Sequence, residues 1–405
     1  MYFLRNNIAR ISINAERSSP MFQSKKMYSA VLLALTLSVS AQQANAQVQN
    51  QSVQSQGNMT SYSEQQTWPT GPDYANAKSM PLPQSLAPFD AVQSTISALT
   101  RPPDSAVSGA SAGTPGNGLE SPASLRVSPE VENEGGIGSQ EWGTANLPFS
   151  TARADLSIAT NTAYPYRASG KLFFQNGSST FVCSASLIKR GVVVTAAHCV
   201  AAFGASRFYT NFRFIPGYRN GVAPYGVWSA RTAWVMTSYF NGTDTCSVRG
   251  VVCTNDVAVI ALNAQSGAYP GTAAGWYGYG WNGFGFVNNT THLTQIGYPN
   301  CLDNGLYMQR NDVQGIKNAS FTNNTTYGSL MCGGSSGGPL LVNFGIRPVL
   351  TSTTAGTAAN PNIVIGVTSW GYTSTAVKQQ GASPFTSTNI VPLVNFACGV
   401  GGGNC

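Results

Sequence analysis

The stretch LMCGGSSGGPLLV, residues 330–342, packs four glycines around two adjacent serines and closes on a proline and an apolar run. Glycine loses more conformational freedom on folding than any other residue, so a cluster of it marks backbone that must go where a Cβ could not follow. A turn built from Gly334, Ser335 and Ser336 can aim one hydroxyl outward. It can also point two backbone N–H groups, two residues apart, at a single oxygen, with Gly337 and Gly338 leaving room for whatever carries that oxygen. PLLV then reads as a strand. A Gly/Ser loop is more commonly a plain flexible turn, so its meaning depends on what else the chain supplies.

A hydroxyl is a poor nucleophile at neutral pH. Serine chemistry needs an adjacent base, a group that orients the base, and donors facing the developing oxyanion. Only two histidines exist, His198 and His292. His198 lies in VVVTAAHCV, directly after an apolar run and beside Cys199, whereas His292 lies in the polar NNTTHLT and reads as exposed. The orienting carboxylate has to come from Asp155, Asp244, Asp256, Asp303 or Asp312, the only acids after residue 150. Asp256 heads NDVAVIAL, whose apolar run should be buried, and a buried unpaired charge needs a partner. An imidazole is the one available. Asp244, Asp303 and Asp312 sit in polar loops, and Asp155 precedes the region where a strand texture begins.

The front of the chain reads as an address. Lys25 and Lys26 precede YSAVLLALTLSV (28–39), and ANA at 44–46 supplies small residues before a cut near Gln47. That is the pattern of a secretory signal peptide over 1–46, with Met21 as the more ordinary opening residue. Its apolar core is too short to span a bilayer, and no later stretch is apolar enough to do so. The expected product is exported and has no membrane partner.

With 1–46 removed, the formal charge of +7 falls to +3, and what remains is unevenly divided: 47–150 carries nine acids and three bases, 151–405 five acids and fourteen bases. Opposed charge of this kind lets the two segments attract each other. The bases after 150 are scattered singly, apart from Lys189 and Arg190, so nucleic acid is not an expected partner. All eight cysteines (Cys183, Cys199, Cys246, Cys253, Cys301, Cys332, Cys398 and Cys405) fall after 150, and an even count in an exported chain argues disulfides. Zinc would need clustered ligands, but there is no CxxC and histidine is scarce, so no metal or other cofactor is expected. Sequence leaves the pairing open. Neighbours in order (183 with 199, 246 with 253, 398 with 405) would make short staples and leave 301 with 332.

Residues 47 to about 140 are rich in Gln, Ser, Pro, Gly and Ala and have little to bury, so they are expected to be disordered or loosely folded, with one short helix around FDAVQSTISALT (89–100), and read as either a linker or a removable propeptide. From Tyr164 the texture changes. KLFF, TFVCSASLI, VVVTAA, FRFIPGY, VWSARTAWVMTSYF, DVAVIAL, HLTQIGYP, LYMQRNDV, GGPLLV and NIVIGVTSW recur between Gly, Asn, Pro and Ser clusters. Strands at that spacing, with no long helical period, predict an all-β sandwich or barrel. Only VPLVNFA near the end suits a helix.

TAAHC, DVAVI and GGSSGGP, in the chain order His, Asp, Ser, resemble the motifs of the chymotrypsin-like, or trypsin-fold, serine peptidases. FVCSASLIKRGVVVTAAHCV is similar to that family's block around the catalytic histidine, TSWGY (368–372) to its substrate-binding strand, and the SPFT to VPLVNF region to its last strand and helix. The resemblance spans roughly 164–398. It implies two packed six-stranded antiparallel β-barrels with a short C-terminal helix, His198, Asp256 and Ser336 as the catalytic triad, and the N–H groups of Gly334 and Ser336 as an oxyanion hole. Ser369, Trp370 and Gly371 would pair with the substrate backbone.

Departures from the pattern are informative. Animal trypsin-like enzymes carry an aspartate before the nucleophile, which receives the freed N-terminus on activation; here that place is taken by Ser335. Ser335, together with LPFSTAR…NTAYPYRASGKLFF, IGYPN and YMQ, looks closer to the bacterial V8-like, or glutamyl-endopeptidase-like, branch, whose members are made with a propeptide. The implied organisation is a signal peptide (1–46), an acidic propeptide (47–150) cut between about 130 and 165, and a peptidase domain (151–405) that acts on proteins or peptides as a secreted monomer. Leu330 falls where trypsins place a pocket-base acid, and VTSWG lacks the histidine on which glutamate specificity leans. Leu330, Met331, Gly371 and Ser383 therefore suggest an apolar pocket. The competing reading is a silent homologue that serves as a secreted binding or adhesion module.

Overall fold

The computed structural model describes residues 52–64, 71–85, 108–121, 125–128, 141–142, 147–154, 160–346, 360–374, 376–400 and 402–405. The signal peptide read over 1–46, the helix expected at 89–100, and Asp155 lie outside these residues. Ser52–Cys405 make up one compact unit.

Six strands form the first barrel: β1 (Ser169–Asn176), β2 (Ser179–Lys189), β3 (Val192–Thr195), β4 (Thr210–Pro216), β5 (Trp228–Met236) and β6 (Ala258–Leu262). The order around it is β5-β4-β1-β2-β3-β6, closed by antiparallel pairing of β6 with β5. Closure removes the open edges a flat sheet would leave. The runs KLFF, VVVT and AVIAL supply the β-branched and aromatic side chains that fill it, and Phe174 packs its ring against Phe181, Tyr209 and Phe212. VWSARTAWVMTSYF, read as one strand, divides: β5 ends at Met236 and Thr237–Asn241 turn into a short helix, stopped by Gly242 at φ 77°.

The second barrel comprises β7 (Thr290–Gly297), β8 (Gln309–Asn318), β9 (Asn324–Gly328), β10 (Pro339–Val342), β11 (Ile363–Tyr372) and β12 (Gln379–Pro384). Its order is β7-β10-β11-β12-β9-β8, closed by β7 and β8. Two of these strands, NTTYG and QQGASP, were not among the runs the sequence marks out. Their residues are polar yet buried, held by hydrogen bonds such as Gln295 Nε2 to Gln380 Oε1 at 2.7 Å. The C-terminal helix, Ile390–Gly399, opens on an Asn389 side-chain cap and buries Ile390, Leu393, Val394 and Ala397. Four disulfides join Cys183 to Cys199, Cys246 to Cys253, Cys301 to Cys332 and Cys398 to Cys405, each neighbour in sequence taking its neighbour.

The described part of 52–142 is loosely folded in a specific sense: it is extended chain in strands of two to five residues, three of which pair directly with barrel strands. Ser52–Gln56 and Met59–Ser63 form a hairpin whose second strand adds to β5, placing Met59 and Tyr62 in the first barrel's core. Lys78–Ser79 pair in parallel with β2, and Gln84–Ser85 in parallel with β11. Glu64, beside the hairpin, sets its carboxylate 3.7 Å from Arg213.

Candidate active site

The apolar run of β3 ends at Thr195, and Ala197–Cys199 form a single 3₁₀ turn that carries His198. The disulfide from Cys199 to Cys183 of β2 pins this turn to the barrel. Asp256 sits two residues before β6, the strand that pairs with β3, and is 1% exposed. Both of its oxygens are engaged. Oδ1 accepts from the His198 backbone N–H at 2.8 Å, and Oδ2 lies 2.8 Å from His198 Nδ1. Oδ2 also accepts from Ser369 Oγ at 2.6 Å. A carboxylate acceptor at Nδ1 places the ring proton there and leaves Nε2 with the free lone pair.

The glycine-rich turn is fixed by three hydrogen bonds to Ser184 and Thr368. Ser336 O accepts from Ser184 N at 2.8 Å, and Gly337 N donates to Thr368 O at 2.8 Å. Gly334 O accepts from Ser184 Oγ at 2.8 Å. Gly334 has φ 95° and Gly337 φ 76°, both in the left-handed region that glycine tolerates. Close approach matters as much as φ: a Cβ on Gly337 would lie 1.9 Å from Thr195 Oγ1 and 2.8 Å from Ala196 N. The turn is thereby pressed against the residues that lead into His198. Ser336 is fully buried, and among the described residues neither its Oγ nor His198 Nε2 has a hydrogen-bond partner.

Ser335 turns its hydroxyl back onto Cys332 O at 2.7 Å, closing the turn on itself. Gln380 Nε2 supports the same turn, donating to Met331 O at 2.8 Å and reaching Ser335 Oγ at 3.3 Å. Sequence reading missed Ser184, Gln295 and Gln380. Their only signal is a polar residue within a strand, which ordinarily means a solvent-facing position.

A cavity of about 420 Å³ opens beside the turn, lined by Leu330, Met331, Gly371, Gln379 and Gln380 among others. Lys378 is the only charged residue among the described residues lining it, and no carboxylate is among them. Ser383 is not part of the lining; its hydroxyl donates to Thr254 O at 2.9 Å. Trp370 is fully buried, its Nε1–H on Asn324 Oδ1 and its ring edge-on to Phe321, so it offers the cleft only backbone. His292 is exposed on β7, as the sequence suggested. Asp244, Asp303 and Asp312 bond elsewhere, to Asn255, Gln309 and Arg310 respectively.

Among the described residues, two groups of side chains bring His, Cys or Asp donors close together: Cys183, His198 and Cys199, and Asp244, Cys246 and Cys253. Each has both sulfurs in a disulfide, so neither offers a thiolate to a metal.

The family model described as Trypsin matches residues 158–391. Among curated proteins, the "Extracellular metalloprotease" of Bacillus subtilis (strain 168) is 30% identical over 190 residues, 46% of this chain and 55% of that protein. The chain therefore spans about half the length of that relative. Among solved structures, the protease Anisep from Arthrobacter nicotinovorans is 25% identical at a TM-score of 0.46, covering 57% of this chain and 96% of that one. A thermostable serine protease, AL20, from an extremophilic microorganism is 23% identical at 0.47, covering 58% and 98%. Among the described residues no helix is long and apolar enough to cross a membrane.

Proposed function

The chain belongs to the trypsin family, whose model spans more than half of it, and from that premise we propose that it is a secreted serine endopeptidase made as a zymogen. The observation that carries this reading is the buried His198–Asp256 pair, 2.8 Å apart, with the Ser336 turn packed against the same stretch of chain. Ser336 Oγ attacks the substrate carbonyl while His198 Nε2 takes its proton, then returns it to the leaving amine. Asp256 holds the imidazole in the tautomer that makes this transfer possible. The N–H groups of Gly334 and Ser336 receive the oxyanion, and Gly371 pairs with the substrate backbone.

Residues 1–46 act as the signal peptide, 47–150 as the propeptide and 151–405 as the catalytic region, a monomer that acts on protein or peptide substrates. Ser335 favours the V8-like branch, because it bonds within its own turn and leaves no aspartate to receive a freed N-terminus. The cavity takes an uncharged side chain such as Leu, Met or an aromatic. Without a lining carboxylate, a substrate Lys or Arg would lose its ion pair and would meet Lys378 instead.

Treatment of the secreted protein with a fluorophosphonate, followed by peptide mapping, tests the mechanism. Label on Ser336, and loss of peptide hydrolysis in Ser336→Ala, are expected. Hydrolysis that survives Ser336→Ala would overturn it, and a protein that takes no label and cleaves no peptide would favour the silent-homologue reading.

A further inference from the structure

Residues 78–85 run from β2 past Gly334, in the turn that carries Ser336, to β11. Lys78–Ser79 run parallel to β2, aligned with Phe181 and Val182. Met80 N then donates to Val182 O at 2.9 Å, and Met80 O accepts from Gly334 N at 3.1 Å. The chain goes on through Pro81 and Leu82, Gly371 N donates to Pro83 O at 3.0 Å, and Gln84–Ser85 pair in parallel with β11. Leu82 is 7% exposed and lines the cavity, its Cδ1 lying 3.5 Å from where a Cβ on Gly371 would be. Two N–H groups that the proposed mechanism reserves for substrate, those of Gly334 and Gly371, are thus both donated to the chain's own backbone.

Direction decides what this contact does. A peptide bond is cut when its carbonyl oxygen is on the oxyanion donors and its nitrogen is on the His198 side, where the proton is delivered. His198 follows β3 and is tied by Cys199 to Cys183, the residue after Val182. Residues 78–80 lie along that wall, and the chain leaves it at Met80 for the second barrel. The nitrogen after Met80 O therefore points away from the His198 wall. That nitrogen also belongs to Pro81, and the one after Leu82 to Pro83, so in both bonds a ring carbon replaces the amide hydrogen.

We propose that residues 78–85 are an inhibitory strap in cis, a peptide laid through the substrate cleft in the direction that prevents its own cleavage. This rests on the peptidase reading above. It names the partner of the cleft in the uncut chain: an extended, proline-interrupted segment held by backbone pairing on both walls and by Leu82 in the cavity. Activation then requires the strap to leave, and a cut downstream of Ser85 frees it to do so.

The test uses the full chain and two readouts. Amide hydrogen exchange is measured on the full-length Ser336→Ala protein, which reports docking whether or not Ser336 is a nucleophile. Gly334 and Gly371 should be protected at least tenfold more than in the same protein carrying Met80→Pro and Leu82→Asp, changes that remove the bond to Val182 and put a charge in the cavity. In the Ser336 protein, the rate of fluorophosphonate labelling of the uncut chain should rise at least tenfold with the same two changes. Equal protection with and without those changes overturns the strap. So does cleavage of the purified chain at Met80–Pro81 or Leu82–Pro83. Protection without labelling in either protein keeps the strap and removes the peptidase reading.

Discussion

Ser369 Oγ and His198 Nδ1 meet on the same oxygen of Asp256, at 2.6 and 2.8 Å. The carboxylate is held from the second barrel by Ser369 and from the first by the His198 turn, so the orienting group bridges the two barrels. Asp256→Asn keeps the shape but reverses the donor pattern at Nδ1, and kcat should fall by about 10⁴-fold with KM little changed. Ser369→Ala removes one hydrogen bond to a charged acceptor, worth about 1.5–3 kcal/mol, and should lower kcat by about tenfold or more while the protein remains folded by circular dichroism. Steady-state kinetics on a peptide ester separate the two cases.

The glycines of the turn are not interchangeable with alanine. At Gly337 a Cβ would meet Thr195 Oγ1 at 1.9 Å and the backbone oxygen of Ser184 at 2.5 Å, with φ at 76°. Overpacking costs about 1–3 kcal/mol, and a left-handed alanine about 1–2 kcal/mol more. Gly337→Ala should therefore lower the urea midpoint clearly, and removing the threonine hydroxyl with Thr195→Ala should not rescue it, because the Ser184 contact is backbone. At Gly334 the Cβ would lie 2.5 Å from Tyr298 O. Gly334→Ala should turn its N–H away from the cleft and reduce kcat more than stability.

Much of this site could be read from the chain because each part has a local chemical reason. A histidine after a buried strand, an acid heading another, and a glycine cluster around a serine are each visible within ten residues. The two barrels were legible where apolar runs alternate with turn residues, as in KLFF and VVVT. Asn324–Gly328 and Gln379–Pro384 were not, because their polar side chains are satisfied by residues distant in sequence, as Gln380 is by Gln295 and Tyr327 by Thr368. Short front-segment strands fail for a related reason. KS and QS carry no alternation, and only β2 and β11 make them strands. The bond from Ser369 to Asp256 spans 113 residues and has no local trace.

Glu64 ties the front hairpin to the first barrel, accepting from Phe212 N at 2.8 Å. Burial pushes its carboxyl up to about 7, against the lowering pull of the Phe212 bond and of Arg213. A group whose folded pKa exceeds its unfolded one holds its proton better when docked, so its contribution is full below about 4.5 and is lost as pH rises through about 7. Docking of the Met59–Ser63 strand on β5 should weaken between those pH values. Glu64→Gln should flatten the dependence. Hydrogen exchange of the strand's amides across pH 4–8, corrected for intrinsic rates, measures both; an unchanged slope in the variant would show that another group is responsible.

Lys378 gives the cavity its only charge among the described lining residues, and Leu330 and Met331 its apolar wall. Side-chain preference before the cut should follow from those two facts. In the processed protein, kcat/KM for Leu, Met or Phe at that position should exceed that for Arg by about a hundredfold or more, since an unpaired cation in the cavity faces both desolvation and a like charge. Lys378→Glu reverses the charge without touching His198, Asp256 or Ser336. It should narrow the Arg disadvantage by at least about tenfold and leave Leu cleavage within a few-fold. A strong native preference for Glu would instead mean that Lys378, not the apolar wall, reads the side chain, and the same substitution should then abolish it.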